Sequence, residues 1–187
     1  LWSLSAGYNP AEGLRLEAGA WQSMRLPTFT DLYYSSPAQI NNLDLTPEHA
    51  VNYRLGINYA KRCWSVSAQT YYRRGRDIID WVWYADSPES PEAWRGKWHS
   101  EQSSRLHTFG AEISGGYAVA EGFLRRVTLS YGYLTNDRNA DVIAKSAMDF
   151  MRHKAALAVE VHFLRRMSLA LTGSVYDRNG SYTAYPV

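Results

Sequence analysis

The residue types that most often carry out chemistry are present, but their spacing does not form a catalytic pattern. Asp77 and Asp80 could act as an acid and a base, yet such catalysis needs a shielded pair with tuned pKa values. The arginines Arg73, Arg74 and Arg76 favour salt-bridged carboxylates in this segment instead. The chain also lacks a Gly-x-Ser-x-Gly nucleophile signature. The sequence therefore gives no support to an enzyme.

The histidines do not predict a metal centre either. They are His49, His99, His107, His153 and His162. None has a second histidine or a carboxylate at metal-ligand spacing on one face, and His107 shares the parity of Phe109, which indicates an interfacial position. Cys63 is the single cysteine, so an internal disulfide is excluded. We expect no cofactor and no resident metal.

Recognition of a ligand by aromatic side chains is the chemistry that the composition favours. The chain has 14 Tyr and 7 Trp, more in its loops than the capping of strand ends requires. Aromatic faces suit a large, flat, partly apolar ligand. For each residue the alternative that it only packs its loop stays open. The candidate ligand-binding residues are Tyr33, Tyr34, Trp81, Trp83, Trp94 and Trp98.

Charge and hydropathy exclude two other classes of function. The net charge is +2 and 20% of residues are charged, with no basic run, so nucleic-acid binding has no electrostatic basis. No stretch of about 18 apolar residues occurs, which excludes a transmembrane helix. A transmembrane barrel remains compatible, because its strands alternate lipid-facing and lumen-facing residues.

Eight segments alternate apolar and polar residues with a period of two, which predicts β-strands, and we expect no helix, linker or domain boundary between them. The segments are residues 2–8, 14–20, 53–59, 64–84, 107–117, 127–133, 155–163 and 169–175. The connections alternate between short ones (9–13, 60–62, 120–122 and 164–166) and long ones (25–48, 85–102 and 136–149). This order, with aromatic residues at both ends of the apolar faces, is typical of an outer-membrane barrel rather than a soluble sandwich or propeller.

The most distinctive stretch is residues 25–48, which is too long and irregular for a hairpin turn. Its X-Pro units bias the preceding residues toward extended backbone, so we expect a large structured loop. The stretch resembles the long loop in the second half of TonB-dependent outer-membrane receptors. The matching residues are Arg25, Pro27, Thr28, Asp31, Leu32, Tyr33, Leu45, Pro47 and Glu48. Asn41-Asn42-Leu43 departs from the usual Gly-Asn-Pro, which predicts a differently shaped turn there.

Later segments extend the resemblance over the whole chain. Residues 108–112 are similar to a Gly-Val-Glu signature, matched at Gly110 and Glu112. A glycine on the lumenal face allows a neighbouring backbone or a plug to approach. Residues 76–81 resemble a strand segment of the same receptors. Residues 149–154 and 176–182 resemble the vitamin B12 (cobalamin) branch in the form found in Bacteroides-like bacteria.

The resemblance implies an all-β fold: an antiparallel up-and-down transmembrane β-barrel, with about eight strands of a 22-stranded barrel around a plugged lumen. Residues 1–187 would then be a partial barrel domain that lacks the plug, the early strands and the last strands. A start at Leu1, without Met or a signal peptide, agrees with a fragment of a longer protein.

The same resemblance implies a transporter in the outer membrane of a Gram-negative bacterium. It would bind and import a metal-chelate nutrient, cobalamin or another corrinoid first of all, with energy supplied through TonB. The expected partners are membrane lipid, the TonB complex acting through an N-terminal plug, a small-molecule corrinoid or iron chelate, and a surface lipoprotein. A ferric-siderophore or haem receptor, or a passive porin-like or adhesin barrel, remains an alternative.

Overall fold

The computed structural model describes residues 1–84, 88–138, 151–163 and 167–178, without the side chains of residues 103, 104 and 138. These residues form one sheet of nine strands. The strands are β1 (Ser3–Ala11), β2 (Leu14–Arg25), β3 (Gln39–Ile40), β4 (Glu48–Lys61), β5 (Trp64–Tyr84), β6 (Lys97–Ala118), β7 (Leu124–Arg138), β8 (Met151–Phe163) and β9 (Met167–Arg178). Two short helices accompany them: α1 (Phe29–Tyr33) and a 3-10 turn (Glu92–Trp94).

Eight of the strands follow one another in space in the order in which they occur in the chain. The order is β1-β2-β4-β5-β6-β7-β8-β9, and every neighbouring pair is antiparallel. The two-residue strand β3 lies off this path and pairs in parallel with β6. The predicted all-β, up-and-down arrangement of about eight strands is therefore confirmed.

The register of the sheet places the alternating residues on two chemically different faces. Leu55 lies opposite Ala18 on one side and Thr70 on the other, and Ile113 lies between Ala68 and Tyr131. Side chains that pair across antiparallel strands share a face, so these pairs join the apolar residues of successive strands into one apolar face. The opposite, polar face carries the intervening residues. The predicted alternation is confirmed in these strands, except in β5 beyond Arg76, where Asp77 has φ +58° and residues 78–82 are all buried.

The first short turn is tighter than the sequence suggested. Asn9 and Pro10 belong to β1, where the register shifts between Tyr8 and Ala11, so the predicted turn 9–13 shrinks to residues 12–13. Gly13 has φ +77°, and a Cβ there would overlap the backbone of Ala60. A backbone hydrogen bond from the Ala60 amide to the Gly13 carbonyl (2.8 Å) joins this turn to the end of β4.

The long connections differ most from the prediction. The expected absence of helices is wrong for residues 29–33, where a local cap starts a single helical turn. The predicted loop 85–102 is wrong from Lys97 onward, because residues 97–102 pair with the end of β5. The predicted loop 136–149 is wrong at its start, since β7 continues to Arg138. Its remainder, and the turn 164–166, lie outside the described residues.

Among the described residues no helix is long and apolar enough to cross a membrane.

Burial is concentrated at the end of the sheet that carries the long connections. Strands β5 and β6 continue past the end of β4 as an outer hairpin, defined here as residues 78–84 and 97–103. Residues 26–47, between β2 and β4, are called the outer loop. The outer loop and the outer hairpin together form the outer assembly. The buried apolar residues of the described chain lie in or beside this assembly: Leu45, Ala50, Ile78, Ile79, Trp81, Val82 and Leu106.

Candidate functional site

An ion pair closes the base of the outer loop. Arg25 ends β2 and Glu48 begins β4, and the two residues lie opposite each other in the sheet. Arg25 Nη2 donates to Glu48 Oε1 at 2.7 Å, and the same carboxylate oxygen accepts the backbone N–H of Ile79 at 2.8 Å. The hydrogen bond to Glu48 raises the pKa of the Arg25 guanidinium. The buried Glu48 carboxylate thus joins three strands, β2, β4 and β5.

A capping box holds the one helical turn within the outer loop. The Thr28 hydroxyl accepts the backbone N–H of Asp31 at 3.2 Å, and the Asp31 carboxylate accepts the backbone N–H of Thr28 at 3.0 Å. These bonds satisfy two N–H groups that a helix start otherwise leaves unpaired. Asp31 is buried and lies 3.8 Å from Arg25, so the helix start is also tied to the base of the loop.

Two asparagines shape the outer loop where the sequence departs from Gly-Asn-Pro. Asn41 Nδ2 donates to the Leu32 carbonyl at 2.6 Å, and Asn42 Oδ1 accepts the backbone N–H of Asp44 at 3.0 Å. The backbone N–H of Asn42 donates to the Asp31 carbonyl at 3.3 Å. Side-chain amides therefore satisfy backbone groups here, which explains how the turn forms without the usual glycine and proline.

The outer loop is fastened onto the outer hairpin at two places. Strand β3 pairs with residues 98–99, and the Trp98 amide donates to the Ala38 carbonyl at 2.9 Å. The Gln102 side chain donates to the Thr46 carbonyl at 2.7 Å and accepts the Thr46 hydroxyl at 3.0 Å. These contacts fix the second half of the outer loop against β6.

The predicted ligand-binding aromatics occupy three distinct environments. Tyr33 and Tyr34 are exposed on the outer loop, and the Tyr33 ring contacts Phe29 with centroids 4.9 Å apart. Trp83 and Trp98 lie opposite each other on the outer hairpin, with ring centroids 5.4 Å apart. Both tryptophans are half-buried. The rings of these four residues are at least partly exposed to solvent.

Trp81 and Trp94 take other positions. Trp81 is 9% exposed and belongs to the core of the outer assembly, so its predicted contact with a ligand is the hardest to reconcile with the structure. Trp94, in the 3-10 turn, stacks on the buried His99 with centroids 4.1 Å apart and planes inclined by 17°. It contacts Tyr84 edge-on at 5.1 Å. Trp94 therefore fastens the tip of the outer hairpin.

Tyr84, His99 and Glu101 were missed by sequence reasoning. The Tyr84 hydroxyl donates to Glu101, and His99 Nδ1 lies 3.3 Å from the same carboxylate. Partial burial, and then the hydrogen bond to Glu101, raise the pKa of Tyr84 to about 12. The sequence signal for this cluster is the spacing of His99 and Glu101, two residues apart, because such residues share a face of a strand.

Gly110, part of the predicted Gly-Val-Glu-like signature, leaves room on the polar face for a side chain of the neighbouring strand. Gly110 lies directly opposite Tyr71, whose ring covers the space that a Cβ would occupy. The group that comes close to Gly110 is therefore the Tyr71 ring on the neighbouring strand. Glu112, two residues later, accepts a hydrogen bond from Gln69 Nε2 at 2.6 Å.

Replacing Gly110 with alanine is expected to displace the Tyr71 ring and to lower the free energy of unfolding by about 1 kcal/mol through overpacking. The measurement is urea unfolding of the full-length protein in detergent. Tyr71→Ser should abolish the effect of Gly110→Ala, because the obstructing ring is gone. An equal loss with and without Tyr71 would contradict this account of the glycine.

Asp77 and Asp80, the candidate acid and base, lie in different environments. Asp80 is buried and accepts the backbone N–H of Trp81 at 2.8 Å, whereas Asp77 is exposed with φ +58°. Within the part of the chain that is described, Asp77 forms no ion pair, so the predicted salt bridge to the neighbouring arginines is wrong for this residue. In the same residues no three His, Cys, Asp or Glu side chains are grouped so as to hold a metal ion.

Fold and site together define an outer-membrane β-barrel wall: an up-and-down sheet with one apolar face, short turns at one end and a folded assembly at the other. A family model described as TonB dependent receptor-like, beta-barrel matches residues 1–186. The chain belongs to this family. Its members are receptors and transporters rather than enzymes, and they are barrels of the Gram-negative outer membrane.

Individual relatives agree with the family. The vitamin B12 transporter BtuB of Photobacterium profundum is 27% identical over 141 residues, which cover 75% of this chain and 22% of that protein. The siderophore receptor PirA from Pseudomonas aeruginosa superposes with a TM-score of 0.70 at 16% identity, over 94% of this chain and 30% of that one. A mutant of the ferric enterobactin receptor PfeA from the same organism superposes with a TM-score of 0.71 at 18% identity, over 93% of this chain and 27% of that one. The chain therefore spans about a quarter of the length of these proteins.

Proposed function

We propose that the chain forms part of an active transporter that binds a metal-chelate nutrient at the cell surface and imports it, with cobalamin or another corrinoid as the ligand. The energy would come through TonB, acting on a plug domain of the whole protein. The outer assembly would supply part of the ligand-binding surface.

One structural observation supports the proposal: the outer loop is a folded support with exposed aromatic side chains, at the end of the sheet that carries the long connections. Tyr33 is 57% exposed although the helix that carries it is capped and tied to Arg25. Large exposed aromatic side chains on an ordered support lose little conformational entropy when they bind a flat, partly apolar ligand. Similarity to a vitamin B12 transporter favours a corrinoid as that ligand.

A ferric siderophore or haem is the alternative ligand. The aromatic surface suits an iron chelate of similar size equally well, and the fold is shared with a siderophore receptor and a ferric enterobactin receptor. A surface lipoprotein partner also stays a prediction.

Uptake by cells tests the transport function. The full-length protein is expressed in a Gram-negative host that lacks its own cobalamin receptor, and uptake of radiolabelled cyanocobalamin is measured with and without functional TonB. The expected result is saturable uptake that requires TonB. Uptake that continues unchanged without TonB would indicate a passive barrel, and uptake of a ferric chelate alone would move the ligand to the alternative class.

Replacing Trp83 with alanine is expected to weaken cyanocobalamin binding about thirtyfold, the typical cost of losing a central aromatic contact. The measurement is calorimetric titration of the full-length protein in detergent. Trp64→Ala is the matched control, because Trp64 lies at the short-turn end of the same strand. Equal affinity of the Trp83 variant and the control would remove the outer hairpin from the binding site.

A further inference from the structure

Three arginines form an unbalanced positive patch on the membrane-facing side of the sheet. Arg76 on β5 lies directly opposite Arg105 on β6, and Arg74 lies opposite His107 in the next row. Arg74, Arg76 and Arg105 are all exposed. Like charges placed directly opposite each other in a sheet repel, so a negatively charged partner would stabilise this arrangement.

The register assigns the patch to the apolar face. Below it runs an aromatic row in which Tyr72 lies between Tyr53 and Phe109, with the rings of Tyr53 and Tyr72 stacked at 6.4 Å. Because residues two apart in a strand share a face, Arg74 and Arg76 follow Tyr72 on the same side. The patch therefore continues the apolar face toward the outer assembly.

The described chain provides little negative charge to this patch. Across the residues that the structure describes, none of the three guanidinium groups forms an ion pair. The nearest carboxylates along the strands are Asp77, which follows Arg76, and Asp137, which lies opposite His107. His49 lies opposite Arg76 on its other side and adds no negative charge.

The height of the patch matches the outer edge of a membrane. From Trp64 at the short turn to Arg74 is ten residues along β5, which spans roughly 23 Å across a membrane for a strand tilted by about 45°. The apolar band of an outer-membrane barrel is about 25 Å tall. Arg74 thus lies at the upper boundary, and Arg76 and Arg105 lie one row above it, at the level of lipid head groups.

We propose that Arg74, Arg76 and Arg105 form a binding site for the phosphate groups of an anionic lipid in the outer leaflet. Guanidinium groups bind phosphate through paired charge-assisted hydrogen bonds, and a phosphate would offset the repulsion between Arg76 and Arg105. The acyl chains of the same molecule would lie along the apolar face beneath. The site faces away from the polar side of the wall and is independent of the nutrient that the transporter carries.

The test is lipid titration of the full-length protein in detergent, followed by native mass spectrometry. The probe is lipid A with both phosphates, and it is compared with a dephosphorylated form and with inorganic phosphate as a competitor. Arg74→Gln combined with Arg105→Gln is expected to weaken lipid A binding about thirtyfold, since each arginine near a charged membrane surface contributes about fivefold. The control removes two charges at the short turn, through Lys61→Gln and Arg62→Asn, and should change binding less than about twofold.

Each outcome bears on the proposal. Loss of binding in the arginine variant alone supports it, together with partial recovery in Arg74→Lys combined with Arg105→Lys, which restores the charges but not the paired hydrogen bonds. Unchanged binding, equal loss in the control, or equal binding of the dephosphorylated lipid overturns it. Competition by inorganic phosphate at similar concentrations would assign the patch to a free small anion and also overturn it. Where the double glutamine variant does not fold, Arg105→Gln alone should still weaken binding about fivefold.

Discussion

Trp81→Ala is expected to loosen the outer assembly by about 3 kcal/mol, the lower end of the range for removing a buried tryptophan. The Trp81 side chain is 9% exposed, so a cavity would remain where the indole was. Residues 26–47 pack onto this hairpin, and we expect both segments to open together. Hydrogen exchange of the full-length protein in detergent should accelerate about a hundredfold in both.

Trp64→Ala provides the matched control for this prediction. It makes the same substitution on the same strand, but Trp64 is 61% exposed in this chain and lies at the short-turn end. Exchange in residues 26–47 should remain as in the unmodified protein. If Trp81→Ala left exchange unchanged while it weakened ligand binding, Trp81 would be a ligand contact and its assignment to the core would be wrong.

The second large effect is expected at Glu48. Glu48→Ala removes the acceptor for both Arg25 and the Ile79 amide, and it should destabilise the outer assembly by about 2 kcal/mol, in the range for hydrogen bonds to a charged group. Arg25 is 45% exposed, so solvent screens much of the charge attraction. The buried Ile79 N–H, left without a partner, should account for most of the loss.

Two further variants separate these contributions. Glu48→Gln keeps an oxygen acceptor and removes the charge, so it should restore more than half of the stability lost in Glu48→Ala. Arg25→Gln should cost less than Glu48→Ala, because the carboxylate still accepts from Ile79. Hydrogen exchange of the Ile79 amide and of residues 26–47 provides the readout. Equal effects of Glu48→Gln and Glu48→Ala would show that the ion pair, rather than the backbone hydrogen bond, holds the loop base.

The strand series was predictable because lipid on one side and polar surroundings on the other impose a period of two on every strand. The alternation around Leu55 and Ile113 assigned each residue to a face, and the observed register joins those faces. The order of short and long connections then gave the up-and-down topology. All of this information is local in the sequence.

The outer assembly was less predictable because long-range contacts determine it. Helix α1 is too short to show a helical period, although Thr28 and Asp31 carried a capping signature that could have been recognised. Strand β3 forms only through its parallel pairing with residues 98–99. Simple alternation placed Trp81 with Trp83, but packing within the outer assembly buries Trp81 and leaves Trp83 half-exposed.

Calorimetric titration of the full-length protein in detergent with cyanocobalamin tests the central claim most directly. We expect tight binding at one ligand per protein, abolished or strongly weakened when Trp83 and Tyr33 are both replaced by alanine. A ferric siderophore and haem are titrated in parallel. Absence of any heat of cyanocobalamin binding, with tight binding of an iron chelate, would contradict the corrinoid assignment while the barrel wall and its folded outer assembly stand.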